Sequence, residues 1–155
     1  MLPSIGILST YPPTQCGIAT FSQSLARAIT AAGAEVGVVA LGVGDGGDAA
    51  ITHRHRDERD HARTVAALNQ FDVVVIQHEF GIYDGPDGRE VVSLLADLVV
   101  PVITVVHTVP SAPSISQRRI LQSILNASDA VVVLSHAAGR LLRRAYRVRP
   151  GTLWM

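Results

Sequence analysis

Three short segments place polar side chains and glycine in the loops that follow apolar runs: Cys16-Gly17, His78-Glu79-Phe80-Gly81 and His107-Thr108-Val109-Pro110. Gly17 falls where an amphipathic pattern begins, so bare backbone N–H groups and the helix dipole there could meet a phosphate. A missing side chain lets such an anion approach closely; the alternative is a glycine needed only for the turn. His78 and Glu79 could hydrogen-bond a hydroxylated ligand, and Glu79 could orient or deprotonate a hydroxyl. The pair could equally tether its own loop to backbone. His107 closes an apolar run, where a histidine serves either a site or a satisfied core. Cys16 is the only cysteine. A helix N-terminus could activate it, but the sequence assigns it no catalytic partners.

Other signals are weaker. Gly42-Val43-Gly44-Asp45-Gly46-Gly47 matches G-x-G-x-x-G, yet it follows the second strand and opens no amphipathic helix, so it is not read as a dinucleotide site. His78-Glu79 is not a zincin motif, because Ile82 stands where the second histidine would fall. His53, His55 and His61 lie among Arg54, Arg56 and Arg59. Those guanidinium groups would repel a metal cation, so the region is read as a solvated, variable loop. Arg140, Arg143, Arg144, Arg147 and Arg149, with Leu141, Leu142 and Tyr146, form a basic amphipathic segment. It reads as a solvated helix face packed on its apolar side, with weak contact to an anionic membrane surface as the alternative.

These segments need a scaffold that brings strand ends together. Ile5–Ser9, Val36–Leu41, Phe71–Gln77, Val102–Val106 and Ala130–Leu134 read as strands, with a short one around Ile51. The near-continuous β-branched runs imply burial on both faces, as in a parallel sheet. Helical spacing recurs over Ile18–Ala32, which Gly33 stops, and over Asp57–Gln70, Asp87–Leu98, Ser116–Asn126 and Ser135–Tyr146. Alternation of strands and helices predicts a doubly wound, mainly parallel, Rossmann-like α/β sheet. Ligands of such sheets bind beyond the carboxyl ends of the strands, where the three polar segments fall.

The 155 residues suit one domain, assigned to 1–150, with 151–155 opening a further strand that is cut short. A chain of this size buries roughly 70% of its unfolded surface and needs no disulfide or metal staple. Hydrophobic residues are 48% and charged residues 17%, which excludes a disordered chain. The formal net charge is zero, so no global field recruits nucleic acid. One cysteine and no signal peptide suit a cytoplasmic protein. The apolar stretch from Val91 to Val106 is broken by Asp97 and Pro101 and is too short to span a bilayer.

The strings Leu8-Ser9-Thr10-Tyr11-Pro12-Pro13-Thr14-Gln15-Cys16-Gly17-Ile18-Ala19-Thr20-Phe21, Gln77-His78-Glu79-Phe80-Gly81-Ile82, His107-Thr108-Val109-Pro110 and Ala130-Val131-Val132-Val133-Leu134-Ser135 occur in this order. Together they resemble the N-terminal half of retaining family-four glycosyltransferases of the GT-B fold, over nearly the whole chain. The resemblance implies a two-domain enzyme that moves a hexose from a nucleoside-diphosphate sugar to a hydroxyl of a carbohydrate or lipid-linked acceptor. It implies no cofactor and no active-site metal. By position, Cys16 and Gly17 would meet the donor diphosphate, and His107 would lie at the reaction centre as the catalytic residue. His78, Glu79 and Thr108 would line the acceptor side, and Ser135 would face the cleft. The enzyme would be cytoplasmic, with peripheral contact at the inner membrane face.

The chain departs from that pattern in two ways. Cys16-Gly17 replaces the paired glycines of many relatives. The Glu-x7-Glu motif of the second, nucleotide-binding domain is absent, since Glu35, Glu58, Glu79 and Glu90 include no pair eight apart. The expectation is a chain that lacks its C-terminal domain and is inactive alone. A non-catalytic binding module from a truncated or degenerate paralogue, and a nucleotide-dependent oxidoreductase, are the competing readings.

Overall fold

Runs of valine and isoleucine favour extended backbone because their branched Cβ packs well on a pleated surface. In the computed structural model, which describes residues 2–42 and 48–155, such runs form β1 (Ile5–Thr10), β2 (Val36–Leu41), β4 (Val73–His78), β5 (Val102–Val106) and β6 (Ala130–Val133). The shorter β3 (Ile51–His55) and β7 (Leu153–Trp154) complete a seven-stranded sheet in the order β3-β2-β1-β4-β5-β6-β7. Every pairing is parallel. The strand order reverses between β1 and β4, so the loops that follow these two strands leave the same rim in opposite directions.

Five helices connect the strands: α1 (Gly17–Ala31), α2 (His61–Leu68), α3 (Glu90–Asp97), α4 (Ile115–Ala127) and α5 (His136–Ala145). Alternate residues of the strands feed opposite faces of the sheet. Leu8, Val39, Val74, Ile76, Val106 and Val131 pack with apolar residues of α2 to α5. Ile7, Val38, Val75 and Val105 pack with Ala26, Leu25 and Ile29 of α1. Both faces are therefore apolar, which is why the strands read as unbroken hydrophobic runs.

Local signals set the helix ends. Ser114 accepts from the Gln117 amide, and the Gln117 side chain accepts from the Ser114 amide, each at 3.0 Å, closing a capping box on α4. Gly33 lies just past α1 with φ +92°, a left-handed conformation that favours glycine. Gly88 combines φ +69° with a Cβ position 2.5 Å from the Phe80 carbonyl oxygen, so the loop between β4 and α3 closes only with glycine there.

One sequence expectation is corrected. His53 and His55 do not lie in a solvated loop; both belong to β3, and His55 is buried. Its Nδ1 meets Thr64 Oγ1 and its Nε2 meets Glu90 Oε1, each at 2.8 Å. The dense local arginines concealed a carboxylate that arrives from α3, 35 residues onward. His61 is also engaged, with Asp97 at 2.7 Å. Of the glycine-rich string 42–47, residues 43–47 lie outside the described residues.

Candidate functional site

The three polar segments converge on the rim formed by the ends of β1, β4 and β5. Sheet order alone makes these strands adjacent, and side chains join their loops. Cys16 caps α1, its Sγ accepting from the Ala19 amide at 3.3 Å and lying 3.2 Å from Thr10 Oγ1. Gly17 is the first residue of α1 and is exposed. First-turn amides have no carbonyl within the helix to serve. Among the described residues, nothing beyond its chain neighbours and the helix's own backbone lies within 4 Å of the Cβ position at Gly17, so a side chain there would meet open space.

Further along, α1 meets the residue that follows β5. Phe21 meets His107 edge-on, with ring centroids 5.1 Å apart and planes at 88°. The helix is held to β1 by a buried contact of 2.6 Å between the Ser9 and Ser22 hydroxyls. Burial lowers the pKa of His107, and the nearby Glu79 carboxylate opposes that shift. The ring is half-buried and favours its neutral form.

Glu79 and Thr108 join the loops after β4 and β5: the Thr108 hydroxyl donates to Glu79 Oε2, and the Phe80 amide donates to Glu79 Oε1 at 2.9 Å. The carboxylate is thus a loop tether, and Thr108 is exposed beside it. His78 sits on the same rim but is completely buried, edge-on to Phe80 at 4.9 Å. Neither of its ring nitrogens has a hydrogen-bond partner among the described residues. Burial and the neighbouring His107 push its pKa down to about 4. His78 therefore presents no edge to solvent, in contrast to the pocket-lining place expected for it. Ser135 caps α5, accepting from the Ala138 amide at 3.1 Å, and it is exposed.

One participant was not singled out from sequence. Gln77 is fully buried on β4, and its Oε1 accepts from His107 Nε2 at 2.7 Å. Its backbone carbonyl accepts from the Tyr83 hydroxyl at 2.7 Å. A glutamine closing a run of Val and Ile, one residue before His78, is the signal that could have found it.

The rim holds no candidate metal centre: among the described residues, no cluster of three His, Cys, Asp or Glu side chains is arranged for a metal ion. No described helix is long and apolar enough to cross a membrane. A concavity of about 570 Å³ on the outer face, lined in part by His61, Arg89, Ser93 and Arg119, contains none of the rim residues. On α5, Arg140, Arg143 and Arg144 are exposed while Leu142 is buried. Arg149 beyond it donates to the Ser128 carbonyl.

An all-parallel, doubly wound sheet with a polar rim at the β1/β4 reversal defines a Rossmann-like domain, and this one matches the N-terminal half of a GT-B glycosyltransferase. The family profile named Glycosyltransferase Family 4 matches residues 16–154, and the chain belongs to that family. Similar solved structures include an alpha-glucosyltransferase in complex with UDP-glucose and DNA containing an abasic site, at 15% identity and a TM-score of 0.68. That match covers 98% of this chain and 42% of the other. An alpha-glucosyltransferase in complex with UDP matches at 14% identity and a TM-score of 0.67, covering 99% of this chain and 43% of the other. At such identities the likeness is one of fold, and the chain spans about two fifths of the length of these structures. No curated protein matches the sequence.

Proposed function

We propose that this chain is the acceptor-side half of a retaining glycosyltransferase that moves a hexose from a nucleoside-diphosphate sugar to a hydroxyl. Nucleotide binding would fall mainly to a second domain outside these 155 residues. The observation that carries this reading is the convergence, in a family-four domain, of an open helix N-terminus at Gly17 with His107 and the Glu79–Thr108 tether. The solved neighbours bind UDP or UDP-glucose, which supports a diphosphate-bearing donor.

In this reading the Gly17 amide faces the donor diphosphate, with Cys16 holding the turn that presents it. Departure of the nucleoside diphosphate develops negative charge, which fixed N–H dipoles stabilise without reorganising. His107 lies at the sugar, where a neutral imidazole adds no positive charge beside an electron-poor anomeric carbon. Glu79 and Thr108 meet the acceptor hydroxyl, with Glu79 free to exchange its Thr108 contact for that hydroxyl. His78 supports this wall from behind, and Ser135 borders the cleft. Closure by a second domain would exclude water, a competing nucleophile. No metal or cofactor is required, and no nucleic acid is assigned as acceptor. The reading places the enzyme in the cytoplasm, with the exposed arginines of α5 making weak contact with an anionic membrane.

Titrating the ¹⁵N-labelled chain with UDP-glucose tests the site. Weak binding should move amide signals of residues 16–18 and 107–108, while a nicotinamide dinucleotide should leave them in place. Saturable dinucleotide binding at these residues would instead favour a redox enzyme. The isolated chain should show no appreciable transfer or donor hydrolysis; robust turnover would refute the division of labour between two domains.

A further inference from the structure

We propose that Gln77 is a positioning residue that holds His107 in one tautomer, protonated at Nε2, so that Nδ1 is the lone pair offered to a hydroxyl of the ligand. This deepens the transferase reading and rests on it for the identity of the ligand, a hydroxylated sugar. The tautomer itself stands on the orientation of the Gln77 amide that the structure records, independently of that reading. Gln77 Oε1 lies 2.7 Å from His107 Nε2. An amide oxygen only accepts, so the imidazole nitrogen must carry the hydrogen. In neutral histidine the other nitrogen is then the acceptor. Among the described residues Nδ1 has no partner, so that acceptor is available.

The geometry is held from several sides. Gln77 is fully buried, and its carbonyl is pinned by Tyr83 at 2.7 Å. Its neighbour His78 accepts the His107 amide through its carbonyl at 3.0 Å, which continues the β4–β5 ladder up to the imidazole's own backbone. Phe21 closes on the ring edge-on. Gln77 Nε2 is buried without a partner among the described residues. Turning the amide over would trade this for a buried, unpartnered oxygen and would force the hydrogen onto His107 Nδ1. The two arrangements thus predict opposite tautomers. A glutamine also performs this task without charge. Glutamate at 77 would accept the same hydrogen but would favour the imidazolium, placing positive charge at the proposed reaction centre.

The test is long-range ¹H–¹⁵N correlation on the chain with ¹⁵N-labelled imidazoles, at neutral pH, with His107 assigned by His107→Asn. Wild type should show an Nε2–H, Nδ1-acceptor signature for His107. Gln77→Leu should lose that signature to averaging between tautomers, and Gln77→Glu should raise the pH at which His107 titrates. If Gln77→Leu does not fold, the near-isosteric Gln77→Met takes its place. An Nδ1–H signature in wild type, or an unchanged tautomer in a folded Gln77→Leu or Gln77→Met chain, would overturn the proposal. Failure of the transferase reading would look different: the UDP-glucose titration would leave residues 16–18 and 107–108 unmoved while the tautomer remained intact.

Discussion

A buried imidazole with no partner on either nitrogen among the described residues resists protonation, and His78 carries that constraint into the stability of the domain. Its pKa falls from an ordinary 6.5 to about 4, mainly through burial. The unfolded chain therefore takes up a proton at this residue below about pH 6.5, whereas the folded chain does so only near pH 4. Stability is full above the unfolded value and is lost as pH falls across that window, by about 3 kcal/mol when the shift is fully expressed. Urea unfolding at pH 7 and pH 4.5 should show this loss in wild type and a smaller one in His78→Leu, whose apolar side chain has nothing to protonate. Equal losses in both would mean that other groups dominate acid unfolding. Gly17 gives the complementary case of a residue with little structural duty. With nothing among the described residues, beyond its chain neighbours and the helix's own backbone, within 4 Å of its Cβ position, Gly17→Ala should leave stability unchanged or raise it by up to about 1 kcal/mol. The new methyl would stand in the proposed diphosphate space, so UDP-glucose binding should weaken about tenfold, or ~1.4 kcal/mol. Calorimetry and ligand titration on the same variant would separate the two effects.

One buried polar cluster ties β3, α2 and α3 to the loop after β4. Edge strand β3 delivers His55 to Glu90 at the start of α3, while Glu90 Oε2 accepts from the Asp84 amide in the loop after β4 at 3.1 Å. Both side chains are only 4% exposed, so solvent cannot replace a lost partner. Removing one member of such a pair strands the other, at a cost of about 3 kcal/mol. We expect Glu90→Leu and His55→Leu each to lower stability by that order, and the double variant to recover much of the loss. A double-mutant cycle by urea unfolding measures the coupling; additive losses would show that the pair acts as two separate groups. The same cluster marks where reading the sequence failed. β2 and β5 were legible to the residue, and α1 to within one, because continuous β-branched runs and 3.6-residue spacing are local signals. Gly17, Glu79, Thr108 and His107 were legible as rim residues because strand-end positions follow from parallel topology. The link from His55 to Glu90, and the burial of His78 beside an exposed Thr108, depend on which side chain crosses to which element. Spacing along the chain carries no such information. Gln77 was hidden for a related reason: its backbone completes a buried strand while its side chain serves a neighbour 30 residues away.

At the scale of the molecule, the two faces of the sheet are unequally covered. Apolar residues of α2, α3, α4 and α5 all join one cluster, and α1 alone among the described helices joins the other. This follows from right-handed crossovers: connections that move outward from β1 to β2 and those that move the other way from β3 onward lay their helices on opposite faces. The β5 to β7 end of the α1 face consequently holds Ile103 and Val132 only half-buried. Trp154, in register with Val132 and so on the same face, is 61% exposed. It is the only tryptophan in the chain, which makes its fluorescence a direct report on this surface. In the isolated chain its emission should be solvent-like and quenched by iodide almost as readily as in urea, so unfolding should shift the emission maximum very little. Far-ultraviolet circular dichroism would register the same transition at full amplitude. A blue-shifted, iodide-protected emission that reverts to solvent-like on dilution would show instead that the open face is covered by association, which is the behaviour expected of a contiguous apolar patch too large to remain bare.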